Sequence, residues 1–346
     1  MLHQSKDELL ARFQRSKLST ADYITGIQNR DIVRLSQAIT LVESNSPKHS
    51  AQAQEIIHYA LSQPKRAMRI GITGTPGVGK STFIESFGQL LHAKGLSIAI
   101  LAVDPSSPLS KGSILGDKTR MATLATLPNV FIRPSPAGDT LGGVGRRSKE
   151  TLAICEAAGF DIILVETVGV GQSETIVRSM VDFFLLLLLP NAGDELQGIK
   201  RGIMEMADLI FINKAEGENI LKAKLAAKQC NNALHLFPKK ASDWTASVLI
   251  GSALHHEGID KIWEKIESFY SLTKSNNFLQ QLHAQQAEYW LQQSIAEGLQ
   301  TLFEKNKRTQ MQYSLLKEKV LNGSISPFIA AETILATFIK TISEEN

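Results

Sequence analysis

The sequence predicts an α/β fold: a mostly parallel sheet with helices on both faces, extended by helices at both ends. Three observations carry that expectation. Between residues 68 and 273, short β-branched or apolar runs alternate with longer amphipathic stretches and turn signals. The most apolar run, Phe183 to Leu189, stops at Pro190 and is far short of the roughly 20 residues that span a bilayer, so it reads as a strand buried on both faces. Finally, Gly74-Thr75-Pro76-Gly77-Val78-Gly79-Lys80-Ser81 matches the phosphate-loop pattern and sits between an apolar strand and a helical run, which places the fold among the P-loop NTPases.

In chain order, residues 1–66 form an N-terminal helical extension. Ile32, Leu35, Ile39 and Val42 recur at helical spacing, and Ile56, Tyr59 and Ala60 continue in a later segment. Met1 to Arg15 has no uninterrupted hydrophobic segment of the signal-peptide kind, so a cytoplasmic protein is expected. Residues 67–273 form the nucleotide-binding domain, with strands expected at Arg69–Thr73, Ser97–Val103, Asn129–Arg133, Asp161–Glu166, Phe183–Leu189, Asp208–Asn213 and Ser247–Ile250. Residues 274–346 are helical again. Leu291, Ile295, Leu299 and Leu302 make one apolar stripe, and Phe328, Ala331, Leu335, Phe338 and Ile342 another. Ser326 before Pro327 is a sound helix start, because serine caps free amides and proline at the first position loses no bond. The stripes must be covered by their own domain or by another subunit.

Lys plus Arg number 37 against 34 Asp plus Glu, with no polybasic stripe, which argues against a nucleic-acid partner. Two cysteines, Cys155 and Cys230, are too few for a disulfide framework or a thiolate metal site. His255 and His256 diverge as neighbours and have no Cys or further His beside them, so no metal role is assigned to them.

The phosphate loop sets the chemistry. Gly74, Pro76, Gly77, Val78 and Gly79 let the backbone curl so that amides face phosphates, the helix start at Lys80, Ser81 and Thr82 adds its positive end, Lys80 reaches the β and γ phosphates, and the Ser81 hydroxyl binds Mg. Asp104, in Asp104-Pro105-Ser106-Ser107-Pro108 at the end of the second long strand, faces the same crevice and can hold Mg and orient the attacking water. The stretch from Gly112 to Arg120 has the look of a switch loop presenting Asp117 to the metal, or of a surface turn. Arg146 and Arg147 could meet phosphate or a partner's carboxylates. Glu166 ends a buried strand with Gly169 three residues on, a layout that couples a Mg-linked carboxylate to a glycine amide sensing the γ-phosphate; Gln172 is a candidate for positioning water.

Base recognition is assigned to Asn213-Lys214-Ala215-Glu216 and to Ser252-Ala253-Leu254, each after an apolar strand. A carboxylate at the fourth position accepts hydrogens from guanine N1 and its exocyclic amine, and adenine offers neither. Glu216 keeps that logic with one methylene more than the usual Asp. Lys214 packs along the ring plane and Asn213 ties the loops together. The loop from Asn191 to Gly202 follows the most apolar strand, with Lys200 able to reach phosphate or a switch carboxylate. The implied reaction is hydrolysis of GTP to GDP and phosphate, with Lys80, Asp104 and Glu166 as catalytic groups and Lys200 a candidate beside them, and with Ser81, Asp104 and Glu166 as Mg ligands, joined by Asp117 where the Gly112–Arg120 stretch is a switch loop.

Taken together, the phosphate loop, Asp-Pro-Ser-Ser-Pro, Gly-Ser-Ile-Leu-Gly-Asp-Lys-Thr-Arg-Met, Glu-Thr-Val-Gly-Val-Gly-Gln-Ser-Glu and Gly-Asp-Glu-Leu-Gln-Gly-Ile-Lys closely resemble the GTPase chaperones of methylmalonyl-CoA mutase. That family includes the methylmalonic aciduria type A protein and bacterial proteins labelled as arginine/ornithine transport ATPases. The resemblance covers most of the chain. It implies a homodimer joined through the C-terminal arm, and GTP hydrolysis that gates adenosylcobalamin delivery to the mutase and protects or reactivates it. It also implies that the loop from Asn191 to Lys200 is an extra switch. An ATPase or kinase of amino-acid transport and a metal-insertion GTPase are the competing classes.

Overall fold

The computed structural model describes residues 18–44, 46–63, 67–103, 121–134, 141–167, 173–191 and 201–345. The strands are β1 (Met68–Gly74), β2 (Ile98–Val103), β3 (Val130–Arg133), β4 (Ile162–Thr167), β5 (Phe183–Leu188), β6 (Leu209–Ile212) and β7 (Ser247–Ile250). They form one seven-stranded sheet in the order β3-β2-β4-β1-β5-β6-β7, parallel throughout. Each lies where the sequence places it, because strands buried on both faces carry the continuous apolar runs that are easiest to read.

The chain leaves β1 toward β2 and β3 on one side and returns through β4 to fill β5, β6 and β7 on the other, so β1 borders the switch point where such sheets bind ligands. The phosphate loop leaves β1 at that point and enters α4 (Lys80–Ala93). Alternate residues of β5 serve opposite faces, as the two-residue strand period requires. Phe183, Leu185 and Leu187 join Ile70 and Ile72 against Phe83, Ile84, Phe87 and Leu91 of α4 and Ile262, Trp263, Ile266 and Phe269 of α9 (Ile259–Ser275). Leu186 and Leu188 join Ile210 and Ile212 against Ala223, Ala226, Ala227 and Cys230 of α8 (Asn219–Leu234). Between these helices in sequence lie α5 (Leu141–Ala157), α6 (Ser173–Arg178) and α7 (Arg201–Met206).

The N-terminal helices are α1 (Thr20–Gln28), α2 (Ile32–Val42) and α3 (Pro47–Ser62). Ser19 and Asp22 form a reciprocal capping box on α1, and the Asp31 carboxylate caps α2 through the amides of Val33 and Arg34. Leu35, Ile39, Val42, Ile56 and Ala60 are buried as expected, whereas Ile32 is 41% exposed, so the buried stripe begins one turn later. These helices pack on α5. Glu43 links them there, accepting from Arg133 and from Thr151 Oγ1, and the Arg30 guanidinium binds the carbonyls of Ala158 and Gly159.

At the opposite edge of the sheet from the phosphate loop, Asp182 is fully enclosed. Its carboxylate accepts from the backbone and side chain of Arg69, from Tyr270 and from His283. Burial alone would raise this carboxyl, but Arg69 and His283 hold it well below the ordinary carboxylate range. That balance makes the group a conditional stabiliser: removing one partner of a buried ion pair costs far more than the pair contributes against water.

The chain forms two compact units, Met1–His283 and Ala284–Asn346, with the division inside α10 (Phe278–Lys305). The expected boundary at 273/274 lies earlier, in the last turn of α9. The second unit contains the rest of α10, α11 (Lys307–Leu321) and α12 (Pro327–Glu345), the last starting at Pro327 with the Ser326 hydroxyl accepting from the Phe328 amide. Its small core is Leu316, Ala330 and Ile334, packed by Phe303, Val320 and Ile325. Phe338 is also buried, but Phe328 is 80% exposed and Leu335 is 51% exposed, so the expected stripe on α12 is only partly covered. Leu291, Ile295, Leu299 and Leu302 are all exposed. Among the described residues, no helix is long and apolar enough to cross a membrane.

Candidate nucleotide site

The phosphate loop is a tight turn with its lysine folded back over it. Gly77 and Gly79 take positive φ values of 78° and 92°, a region that residues with a Cβ rarely adopt. Lys80 Nζ donates to the Gly74 carbonyl at 2.8 Å and approaches that of Thr75 at 3.4 Å. Burial depresses the Lys80 ammonium below its ordinary pKa, while the carboxylates of Glu166 and Glu174 oppose the shift. An ammonium held this way has a partner-seeking charge, and a phosphate anion would restore it. Ser81 and Thr82 follow in the first turn of α4, whose N-cap, Gly79, has no side-chain cap. The amides there are available to an anion, as a helix N-terminus provides.

Sheet register brings the acid to this point. Glu166 pairs with Ile72 of β1 and with Ala102 of β2, near the carboxyl ends of both strands. One residue on, Thr167 and Thr73 share a buried hydroxyl contact of 2.8 Å between β4 and β1. The Thr73–Thr167 pair and Glu174 were not expected as parts of the site. Glu174 does stand in the Gly-Val-Gly-Gln-Ser-Glu run, where an acid eight residues after Glu166 was the available signal. Asp104 would directly follow the end of β2, but Asp104, Asp117, Gly169, Gln172 and Lys200 lie outside the described residues. Arg146 lies on α5, paired with Glu150 one turn away at 3.0 Å.

The segments expected to recognise the base meet the phosphate loop from β6 and β7. Asn213 is 2% exposed. Its Nδ2 donates to the Val78 carbonyl at 2.9 Å and its Oδ1 accepts from the Ala253 amide at 2.9 Å. Lys214, with φ at +57°, crosses to the Gly77 carbonyl through its Nζ at 2.8 Å. Ala215 N donates to Gly251 O, binding the end of β6 to the end of β7. Gly251 is obligatory in this contact, since a Cβ there would stand 2.1 Å from the Glu257 carbonyl oxygen. Ser252 and Ala253 are buried and Leu254 is 65% exposed.

Two polar atoms on these loops are enclosed yet have no partner among the described residues: Thr75 Oγ1 on the phosphate loop and Glu216 Oε2 on the segment expected to recognise the base. Enclosed polar atoms of this kind cost about 1–3 kcal/mol each unless a ligand meets them. Ser81 and Glu166 supply hard oxygen donors of the type Mg prefers, and Glu166 is close enough to Lys80 to influence its charge, so the residues present fit the ion. Among the described residues there is no group of three or more His, Cys, Asp and Glu able to hold a metal, and His256 is instead hydrogen-bonded to Ser86.

The chain matches the family model described as Methylmalonyl Co-A mutase-associated GTPase MeaB over residues 35–308. It belongs to that family. This MeaB-family chain is 43% identical over 326 residues to GTPase ArgK of Escherichia coli (strain K12), covering 94% of this chain and 98% of that protein. It is 42% identical over 324 residues to the mitochondrial methylmalonic aciduria type A homolog of Mus musculus, covering 91% and 78%. Among solved structures it is similar to the crystal structure of LAO/AO transport system kinase, with a TM-score of 0.74 and 37% identity over 94% of this chain and 99% of that one.

Proposed function

We propose that the protein is a Mg-dependent GTPase acting as a chaperone of methylmalonyl-CoA mutase or a related cobalamin-dependent mutase. In this reading its nucleotide state gates adenosylcobalamin delivery and protects or reactivates the mutase. The observation that supports the nucleotide-binding part is the Asn213 side chain, which joins the phosphate loop to the turn after β7 and so would hold phosphate and base sites as one body; family membership supports GTP as the nucleotide. Family membership supports the chaperone part.

The roles follow from the groups. Lys80 exchanges its loop carbonyls for the β and γ phosphate oxygens, and the amides from Gly74 to Thr82 meet the remaining charge. Ser81, Asp104, Asp117 and Glu166 would hold Mg, which would supply positive charge to neutralise the phosphates. Asp104 and Gln172 orient the attacking water, Glu166 couples the metal to Gly169, which senses the γ-phosphate, and Lys200 answers partner contact. Glu216 meets guanine N1 and its amine, and Ser252, Ala253 and Leu254 close over the base. The exposed Leu291, Ile295, Leu299 and Leu302 stripe on the C-terminal arm supports a homodimer, since a row of four apolar residues along one helix needs a partner surface. Residues 1–66, 67–273 and 274–346 are read as extension, GTPase domain and dimerisation arm of a cytoplasmic protein.

The test is turnover with and without a cobalamin-dependent mutase, alongside titrations with GTP and ATP. Slow hydrolysis alone, acceleration by the mutase and preference for GTP are expected, because no arginine finger in cis is evident in the sequence. ATP bound as tightly as GTP would remove the role of Glu216 and favour the transport-ATPase class. Equal turnover with and without the mutase would remove the chaperone mechanism.

A further inference from the structure

The turn after β7 is fastened a second time, by a contact that the base-recognition motif does not contain. Ser252 and Glu257 exchange main-chain hydrogen bonds at 3.1 and 2.9 Å, which closes residues 253–256 into a compact loop. Within it His256 adopts φ of +58°, a conformation uncommon for a residue with a Cβ. Its Nδ1 lies 2.7 Å from Ser86 Oγ. Ser86 is 2% exposed on α4, the helix that starts at Lys80. An exposed ring has therefore been turned inward, at some backbone cost, to satisfy a buried hydroxyl on the phosphate-loop helix.

We propose that the His256–Ser86 pair is a positioning device for the guanine base. Asn213 holds the loop at Ala253, the Ala215–Gly251 bond ties its start to β6 and the Ser252–Glu257 bonds close it on itself, but none of these bonds reaches the body of α4. The His256–Ser86 contact, three residues on from Ala253, fixes the orientation of the Ser252–Leu254 segment relative to α4. Base and phosphate subsites then keep a constant spacing before any nucleotide arrives, and the ordering cost of binding falls. Neither residue needs to touch the nucleotide. The inference rests on the reading of Ser252–Leu254 as the base-binding turn.

The test uses the full-length chain and its Ser86→Ala, His256→Ala, His256→Asn and double-alanine variants, titrated with GDP, ADP and pyrophosphate as the base-free probe. Asparagine tolerates the left-handed backbone and keeps an amide donor near the place of Nδ1. Each alanine variant is expected to weaken GDP about three- to tenfold, the worth of one hydrogen bond, while ADP and pyrophosphate hold their wild-type affinities. His256→Asn should restore GDP binding, and the double variant should be no weaker than either single one, because both remove the same contact. A general loss of structure would weaken all three ligands together. Wild-type GDP-to-ADP preference in the single variants, additive losses in the double, or parallel weakening of all three ligands overturns the proposal. If the unaltered protein itself prefers GDP no more than ADP, the base reading fails first and takes the proposal with it.

Discussion

Asn213 Nδ2 donates to the Val78 carbonyl at 2.9 Å across a sequence separation of 135 residues. The same amide group receives the Ala253 amide, so a single planar side chain bridges three loops from three different strands. Both bonds are buried, where an unmade hydrogen bond costs more than a made one contributes.

Asn213→Ala should therefore lower GDP affinity by more than about tenfold, two lost bonds at about 1 kcal/mol each, with a modest fall in melting temperature. Asn213→Asp should be worse still, because it keeps the acceptor for Ala253 but sets a carboxylate against the Val78 carbonyl. Calorimetric GDP titration with a thermal melt of each variant checks both; unchanged affinity would remove Asn213 from the site.

Gly251→Ala should destabilise the fold by about 1–3 kcal/mol, since the new methyl meets the Glu257 carbonyl oxygen at 2.1 Å and the Phe211 ring at 2.9 Å. The main chain must move to accept it, and the Ser252–Glu257 bridge moves with it. Urea unfolding measures the loss.

Much of this was legible in the sequence and some was not. All seven strands and the phosphate loop could be read because their signal is local: apolar runs, glycines at fixed offsets, an acid at a strand end. Strand order could not, and with it went the Thr73–Thr167 contact, which exists only because β4 lies beside β1. Which part of α12 is covered within the chain could not be read either, because Phe328 and Leu335 are as apolar as Ile334 and Phe338, and pattern alone does not say which of two apolar arcs is buried. Asp182 and Arg69 gave no signal at all, as the partners are 113 residues apart.

Asp182→Asn should cost about 3–5 kcal/mol at neutral pH, because it strands the buried Arg69 charge. The sign of the acid effect follows from the depressed Asp182 carboxyl. Its stabilisation is fully present above the unfolded value, about 3.9, and is lost as pH falls from there toward the lower folded value. Denaturant midpoints across that acid range should fall steeply in the wild type and more shallowly in the variant.

Nucleotide binding should take up protons at alkaline pH. Burial lowers the Lys80 pKa in the free protein and a phosphate anion would raise it, so the fraction of Lys80 protonated on binding grows as pH rises toward the free-state value. Calorimetry in two buffers of different ionisation enthalpy reads the uptake directly. Lys80→Arg, which stays charged throughout, should abolish that difference.

The central position of β1 has a consequence for how the protein is made. Its two neighbours in the sheet are β4 and β5, which reach as far as Leu188, and the loop that closes on Asn213 extends to Glu257. A ribosome that has just released the phosphate loop has produced only a flexible glycine-rich string, since no adjacent strand yet exists to hold it. Assembly of the nucleotide grip thus waits until Glu257 has been made, and termination between Ser81 and Glu257 leaves a chain with the motif intact and the grip incomplete.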